Sequence, residues 1–233
     1  MMNQAEYKVG LVIYPEMTQI DITGPHQVFA FMPNTQIYWL WKKIEPVRSN
    51  DGLTIMPDTT FVDCPTLDVI CVPGGPGQID MMRDEQMLEF LQQQAKTAKY
   101  ITSVCTGSLI LAAAGLLQGY RAGCHWAFLE QLAMLGVEVS SERVVSDRNR
   151  ITGGGATAGL DFGLVVVSQL CGEETAKMIQ LLLQYDPQPP FNAGSPRQAG
   201  EDLVKQVKTF GKELIAASQA RTKETAIKLK IAV

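Results

Sequence analysis

The feature that most constrains the fold is an alternation of short, almost wholly apolar runs with helical patterns. The runs are Lys8–Tyr14, Leu67–Val72 and Tyr100–Val104, and each leads into a turn and then a helical pattern. Strands that are apolar on both sides are buried on both faces, as they are in parallel sheets whose connections are helices. The sequence therefore predicts an α/β chain with a doubly wound, mostly parallel sheet and helices on both faces.

Further segments extend this pattern along the chain. Strands are also predicted over Gln36–Lys42 and Leu53–Met56, with a hairpin over Arg143–Thr152. Helices are predicted from Thr23 or Gly24 with Pro25 at the start, and over Glu85–Ala98, Trp126–Leu135, Thr157–Cys171, Glu173–Gln184 and Glu201–Lys230.

A proline-rich break, Pro187–Pro196, separates the last helical segment from the rest. Residues 197–233 are too few to build a core of their own. We therefore assign residues 1–196 to one α/β domain. Residues 197–233 form a C-terminal helical extension that packs on this domain or on a partner subunit.

Charge and hydropathy narrow the classes of partner. The 233 residues carry a formal net charge of −4, which gives no electrostatic drive toward nucleic acid or an anionic membrane. No apolar run approaches the roughly 18 residues that a membrane span needs. The N-terminal residues lack the basic and apolar regions of a signal peptide. We expect a cytoplasmic protein with no nucleic-acid or membrane partner.

The cysteines and histidines argue against a structural metal or a disulfide framework. Five cysteines is an odd number, they are widely spaced, and no C-x-x-C occurs. With only two histidines, His26 and His125, a site of several histidine ligands is not expected. The sequence thus predicts a reduced protein without a bound metal.

Candidate site residues follow the predicted strands. In open α/β sheets, sites form where the strands end at their carboxyl edge. Three glycine-containing segments lie at such ends, and Asp21 follows the first strand. The segments are Pro73-Gly74-Gly75, Cys105-Thr106-Gly107 and Gly153-Gly154-Gly155. Their convergence on one edge is more informative than any one of them.

Cys105 stands directly between a strand and a helix. A helix N-terminus stabilises a thiolate, and a sharp turn projects the sulfur as in a nucleophile elbow. The N–H groups of Gly74 and Gly75 are predicted to point at negative charge near this sulfur. The alternative is a buried structural cysteine, which is the interpretation we adopt for Cys64, Cys71, Cys124 and Cys171.

Three neighbours have two interpretations each. Asp21, in Gln19-Ile20-Asp21-Ile22-Thr23, is either a helix N-cap or a general acid/base beside the thiol. Thr106 either begins the helix or offers its hydroxyl to a substrate or to Asp21. His125 is a structural or capping residue in one interpretation and an assisting base in the other; the first is favoured.

These residues together resemble the ThiJ/PfpI superfamily, and more narrowly its isocyanide-hydrating branch. The resemblance spans roughly residues 8 to 196 and is carried by the motifs Q-I-D-I-T-G-P-H-Q-V-F, L-D-V-I-C-V-P-G-G, Y-I-T-S-V-C-T-G-S, H-W-A, E-R-V-V-x-D-x-N-x-I-T-G-G-G and Y-D-P-x-P-P-F-N-A-G-S-P. It implies a flavodoxin-like fold, a strained cysteine elbow and a homodimer.

The same resemblance implies an activity. Cys105 would attack the terminal carbon of a small-molecule isocyanide while Asp21 delivers a proton, with no metal or organic cofactor required. Gly74, Gly75, Gly154 and Ala156 would line the pocket. Much of the superfamily uses glutamate where this chain has Asp21. Ala156 also stands where a bulkier aliphatic residue is expected, so mobility of the cysteine-bearing helix and the rate are expected to differ, but not the chemistry.

Two other classes of protein share parts of this pattern. AraC-type regulators share the S-V-C-T-G module but continue into two helix-turn-helix units, and residues 197–233 are too short for these and not strongly basic. A glyoxalase-like, amidase-like or peroxide-sensing thiol protein is the other alternative, which the surroundings of Asp21 disfavour.

Overall fold

The computed structural model describes residues 7–231. Residues 1–6, which bear on the absence of a signal peptide, and residues 232–233, the end of the predicted extension, lie outside the described residues. The central sheet has seven strands, β1 (Tyr7–Val12), β2 (Thr35–Trp41), β5 (Thr59–Thr60), β6 (Val69–Val72), β7 (Tyr100–Val104), β10 (Val144–Asp147) and β11 (Arg150–Gly153). Two small ribbons pair β3 (Val47–Arg48) with β4 (Thr54–Ile55) and β8 (Arg121–Ala122) with β9 (Glu138–Val139).

Ten α-helices connect or follow these strands in the described part of the chain. They are α1 (Ile20–Phe29), α2 (Gln78–Met81), α3 (Glu85–Gln94), α4 (Gly107–Ala113), α5 (Leu129–Met134), α6 (Ala158–Cys171), α7 (Glu173–Leu182), α8 (Pro196–Ala199), α9 (Glu201–Phe210) and α10 (Lys212–Lys228). A 3₁₀ turn, Trp126–Phe128, leads into α5.

The strand order is β10-β11-β7-β6-β1-β2-β5, and every pair is parallel except β10 with β11. The five strands β2-β1-β6-β7-β11 reproduce the flavodoxin-like order, so the predicted doubly wound sheet is confirmed. The chain leaves β1 toward one edge and returns at β6 on the other side. This switch point, between β1 and β6, opens the crevice in which such folds bind ligands.

The helices cover the sheet in two layers. Helices α1, α6 and α7 pack together, while α2, α4 and α5 pack together with α10. Helix α6 approaches α1 closely because Gly159 and Gly163 carry no side chain. A Cβ on Gly159 would lie 2.9 Å from Pro25 Cδ, and one on Gly163 would lie 3.0 Å from Val28 Cβ. This close packing fixes the start of α1 against the start of α6.

The predicted start of the first helix was wrong. Helix α1 begins at Ile20 rather than at Thr23 or Gly24, and Pro25 lies inside it. The first turn closes through N–H donation from Thr23 to the Gln19 carbonyl at 2.9 Å. Pro25 removes the N–H that would reach the Asp21 carbonyl, but its ring packs against Gly159, and α1 runs through it.

The other predicted helices and strands are present with changed bounds, and the segment Glu201–Lys230 forms two helices, α9 and α10. The hairpin over residues 143–152 is present as β10 and β11, and Leu53–Met56 contributes β4 to a ribbon outside the central sheet. Helix α10 packs on α5, α2 and α4, with its buried residues Ser218, Thr222, Thr225 and Ala226 facing them. Helix α9 buries no residue.

Candidate active site

Cys105 lies at a strained turn between β7 and α4. Its φ of 57° is in the left-handed region, which a residue with a side chain adopts only at a cost. The Cys105 N–H donates to the Gly153 carbonyl at 3.0 Å, which ties the turn to the end of the neighbouring strand β11. The side chain is buried, with 9% of the residue exposed. The expected nucleophile elbow is therefore present in the backbone.

Asp21 approaches this thiol from the other side of the switch point. It is the second residue of α1 and is fully buried, at 0% exposure. Its Oδ2 accepts the Gly74 N–H at 2.9 Å, so the carboxyl does not cap its own helix. Its Oδ1 has no partner of normal hydrogen-bond geometry among residues 7–231, and the Cys105 thiol is its side-chain neighbour.

Burial sets the protonation of this carboxyl. It raises the pKa of Asp21 from 3.8 to about 7, although the Gly74 N–H and the Cys105 side chain both act to lower it. No cation among the causes of this shift offsets the burial. A carboxyl with this pKa is close to half protonated at neutral pH, which suits a group that must both give and take a proton.

The pKa of the Cys105 thiol is raised as well. Burial first, and then the charges of Asp21 and Cys124, raise the pKa of Cys105 well above its usual value. The Thr106 backbone N–H acts the other way, as expected at a helix start, but burial outweighs it. Two acids this close titrate as a pair, and the second proton leaves with difficulty. Around neutral pH the pair passes from two protons to one.

The glycine turn after β6 holds both sides of the pair. The Gly74 N–H binds Asp21, and the Gly75 N–H donates to Thr106 Oγ1 at 3.0 Å. A Cβ on Gly74 would lie 2.5 Å from the Thr106 nitrogen, so only glycine fits. The two N–H groups predicted to face the sulfur therefore position Asp21 and Thr106 instead.

The turn after β11 directly follows Gly153, whose carbonyl accepts the Cys105 N–H. The Gly154 N–H donates to the Arg143 carbonyl at 2.9 Å, so it is already engaged. Ala156 is half-buried in the turn that begins α6, and its carbonyl accepts the Gly159 N–H at 3.2 Å. Its effect on the helix that carries Cys105 stays a prediction.

His125 has the structural role favoured from the sequence. It is the N-cap of the 3₁₀ turn, and its Nδ1 accepts the Ala127 N–H at 3.3 Å. Its ring lies 5.5 Å from that of Trp126 and 5.8 Å from that of Phe128. Burial lowers the pKa of His125, which keeps the ring neutral.

Two site residues escaped the sequence analysis. Tyr14 follows β1, is fully buried, and donates its hydroxyl to the Pro73 carbonyl at 2.8 Å. Burial, Asp21 and Cys105 all raise the pKa of Tyr14, so it lies among the site groups and stays protonated. Cys124 is a second buried thiol whose charge acts on Cys105. The aromatic residue closing an apolar strand was the available indication for Tyr14.

Residues 7–231 hold no group of three or more histidine, cysteine or acidic side chains placed to hold a metal ion. None of the helices in that range has the length and apolar character needed to cross a membrane.

A buried thiol on a left-handed elbow, beside a buried carboxyl at the sheet's switch point, defines a class of α/β proteins built around one activated residue. Within that class, this chain belongs to the DJ-1/PfpI family, whose model matches residues 7–169.

Individual relatives are more specific. The chain is 47% identical over 224 residues to the isonitrile hydratase of Pseudomonas putida, a match that covers 96% of this chain and 98% of that enzyme. It is 37% identical over 192 residues to the HTH-type transcriptional regulator GbdR of Pseudomonas aeruginosa, covering 79% of this chain and 52% of the regulator.

A solved structure shows the same fold. The crystal structure of a ThiJ/PfpI family protein from Pseudomonas syringae superposes with a TM-score of 0.90 at 44% identity. The superposition covers 93% of this chain and 90% of that one.

Proposed function

We propose that the protein hydrates an isocyanide to an N-substituted formamide, with Cys105 as nucleophile and Asp21 as general acid and base. The observation that carries this proposal is the juxtaposition of a buried thiol and a buried carboxyl that share protons without a nearby cation. The reaction needs both groups on one carbon atom, since that carbon must accept a sulfur and a proton. The similarity to an isonitrile hydratase over nearly the full length supports the same assignment.

In the first step, the pair starts with one proton, which rests on the Cys105 sulfur, the weaker acid of the two, and moves to Asp21 as the thiolate forms. The sulfur attacks the terminal carbon of R–N≡C and Asp21 gives its proton to the same carbon. The product is a thioimidate, R–N=CH–S–Cys105, beside an ionised Asp21. Burial helps here, because it makes the free thiolate costly and so favours its addition to the carbon.

In the second step, Asp21 takes a proton from a water whose oxygen adds to the thioimidate carbon, and passes that proton to the nitrogen. The resulting intermediate, R–NH–CH(OH)–S–Cys105, collapses with release of the thiolate. The hydroxyl proton returns to Asp21 and R–NH–CHO leaves. The pair ends with the one proton it began with, so isocyanide and water are converted to formamide with no cofactor.

Thr106 and the glycine turn have supporting parts in this scheme. The Thr106 N–H acts to lower the pKa of the Cys105 thiol, and Thr106 Oγ1 accepts the Gly75 N–H. Gly74 holds Oδ2 of Asp21, which leaves Oδ1 as the oxygen that faces the thiol and the reacting carbon. We place Gly154 and Ala156 on the far wall of the pocket.

The test is direct. Purified protein is mixed with an aromatic isocyanide, and formamide is followed by its absorbance. Wild type should turn over, and Cys105→Ala should lose activity by roughly a thousandfold or more. Cys71→Ala, which removes a fully buried thiol inside β6, is the matched control and should retain turnover. Intact mass followed by peptide mapping should place the thioimidate on Cys105; turnover that survives Cys105→Ala would contradict the proposal.

A ligand-sensing role is the second candidate, and the similarity to a transcriptional regulator favours it. A sensor would bind its ligand at Cys105 without releasing a product. Stoichiometric capture of an isocyanide with no formamide from wild type would select this role over the hydratase.

A homodimer, expected from the family resemblance, is part of the proposal. Apolar side chains on α9 and α7 face solvent in the single chain, including Phe210 at 96% exposure and Leu181 at 81%. Light scattering on an eluting size-exclusion peak should give twice the 25.5 kDa chain mass. A peak at the monomer mass at micromolar concentration would contradict it.

A further inference from the structure

Three buried polar side chains link the C-terminal helix to the active-site side of the molecule. Gln78 Nε2 donates to Ser218 Oγ at 2.9 Å, and Ser218 Oγ donates to Gln131 Oε1 at 2.5 Å. Gln131 Nε2 in turn donates to the Ile215 carbonyl at 3.2 Å. Exposures of 1% for Gln78, 0% for Ser218 and 3% for Gln131 place this chain of hydrogen bonds inside the protein.

One end of this chain of hydrogen bonds is the turn that contains Gly74 and Gly75. Gln78 is the first residue of α2, and its N–H donates to the Gly75 carbonyl at 3.0 Å. The Gly75 N–H donates to Thr106 Oγ1 at 3.0 Å, and Thr106 directly follows Cys105. Four residues thus connect α10 to the sulfur: Ser218, Gln78, Gly75 and Thr106.

The other end is α5. Gln131 reaches one turn of α10 with both ends of its amide, at the Ile215 carbonyl and at Ser218 Oγ. Helix α5 follows the segment that contains His125 and Cys124, the second of which acts on the pKa of Cys105. Ser218 therefore holds together two elements that flank the cysteine-bearing helix α4.

The Ser218 hydroxyl accepts from Gln78 and donates its one proton to Gln131. Gln78 Oε1 is buried and has no hydrogen-bond partner among the described residues. In the part of the chain that the structure describes, the orientation of the Gln78 amide thus depends on its bond to Ser218. A buried amide with one free end persists only where its surroundings hold it in place.

We infer that Ser218, although distant in sequence, is a positioning residue of the active site, which acts through Gln78, Gly75 and Thr106 on the geometry around Cys105. Its effect on turnover rests on the proposed hydration; its effect on the thiol does not.

Two variants interrupt this chain of hydrogen bonds at different residues. Ser218→Ala removes the hydroxyl, and Gln78→Met replaces the amide by an apolar side chain of similar length. Each should lower kcat for an aromatic isocyanide roughly 5- to 20-fold and leave KM within about twofold, since neither residue lines the substrate carbon. The double variant should be no slower than the slower single one, because both remove the same link.

The thiol itself gives a readout that does not depend on the reaction. Alkylation of Cys105 by iodoacetamide, mapped by mass spectrometry across pH, reports its thiolate. The titratable groups that face it are Asp21 from α1, Tyr14 after β1 and Cys124 after β8, and neither variant changes them. Loss of the link should weaken the Thr106 N–H contact and move the alkylation midpoint to higher pH in both variants.

The matched control is Thr225→Val. Thr225 is buried on the same helix, but its hydroxyl donates only to the Arg221 carbonyl one turn back. It should keep the wild-type alkylation profile and kcat. Ser218→Ala with a wild-type alkylation midpoint, or with one moved to lower pH, overturns the inference; so does a Thr225→Val profile shifted as far as that of Ser218→Ala.

Folding and function are separated in the same experiment. Melting temperatures of all four variants show whether Ser218→Ala is folded; if it is not, Gln78→Met carries the test alone with the same criteria. If wild type does not hydrate isocyanides, the proposed function fails. The alkylation profiles then still decide the role of Ser218.

Discussion

Two aspartates at opposite ends of the fold show how differently the chain treats a negative charge. Asp147, at the tip of the β10–β11 hairpin, accepts the Arg121 N–H at 2.8 Å and the Arg148 Nε–H at 3.1 Å. These contacts lower the pKa of Asp147. Asp21, at the switch point, is fully buried, its carboxyl accepts the Gly74 N–H at 2.9 Å, and its pKa is raised to about 7.

Asp147 contributes to stability, whereas Asp21 has the surroundings that the proposed proton transfer needs. Around Asp147 the chain supplies guanidinium groups, and Arg148 and Arg150 also lie over the ring of Tyr120, at 3.6 and 4.4 Å. Around Asp21 it supplies a thiol, a phenol and apolar residues. Burial without a cation is how proteins bring a carboxyl into the neutral range, where it donates and accepts protons efficiently.

Removing the titrating oxygen should have the largest effect. Asp21→Asn keeps an oxygen for the Gly74 N–H but cannot transfer a proton, so turnover should fall roughly 10²- to 10⁴-fold. In wild type, kcat/KM should rise with pH through about 7, as Asp21 loses its proton and the pair reaches its one-proton form. Steady-state rates between pH 5 and 9 check both points. A rising limb near pH 4 would contradict the raised pKa.

The same substitution should stabilise the fold at high pH. Because the folded pKa of about 7 exceeds the ordinary 3.8, stability from this group is fully present below pH 4 and is lost as pH rises through 7. Asparagine does not titrate, so its advantage over wild type should grow to a few kcal/mol, at most about 4, at pH 8 and vanish near pH 4. Denaturant unfolding at both pH values measures the difference; equal advantages would contradict it.

A side chain on Gly74 should disturb the Asp21–Cys105 pair by crowding Asp21 and Thr106. Gly74→Ala places a Cβ 2.6 Å from Thr106 Oγ1 and 2.9 Å from Asp21 Oδ2, and should cost roughly 1–3 kcal/mol of stability together with much of the activity. Gly194→Ala is the matched control, since nothing lies within 4 Å of its Cβ position. Melting curves and turnover rates should distinguish the two variants. Equal melting and turnover would contradict the prediction, because they would show that the turn accommodates a Cβ at Gly74.

Asp147→Asn should give the smallest effect, and one of opposite sign. Its folded pKa is lowered, so its contribution to stability is present at neutral pH and disappears as pH falls. The variant should be slightly less stable than wild type at pH 7 in low salt, and indistinguishable at high salt or low pH, with full activity. A loss of activity would mean that the hairpin tip is linked to the site.

The sheet could be predicted from the sequence because its strands are apolar on both faces. The runs at β1, β6 and β7 leave few alternatives, and the hairpin near Asp147 had its own turn residues. The start of α1 was missed because Pro25 usually marks a first turn. Here its ring packs on Gly159, a residue that is distant in sequence.

The site was predicted less completely. Cys105, Asp21 and the glycine turns were expected at one edge, since parallel strands bring their ends together. What the N–H groups of Gly74 and Gly75 bind depends on distances of a few tenths of an ångström. Burial also raises the pKa of Cys105, although the N–H at the start of α4 acts to lower it. Neither tertiary hydrogen bonds nor burial of this kind follows from local pattern. The link through Ser218 spans 140 residues to Gln78 and leaves no trace in the sequence.

The left-handed backbone at Cys105 also bears on how the sequence of such a protein would drift without selection for activity. Glycine would occupy that φ of 57° with about 1 kcal/mol less strain, and asparagine at position 21 would relieve a buried charge. Both changes remove a group that the proposed chemistry needs, and each relieves one local cost of the native site. In a lineage released from selection for that chemistry, drift toward these two residues would relieve backbone strain and a buried charge.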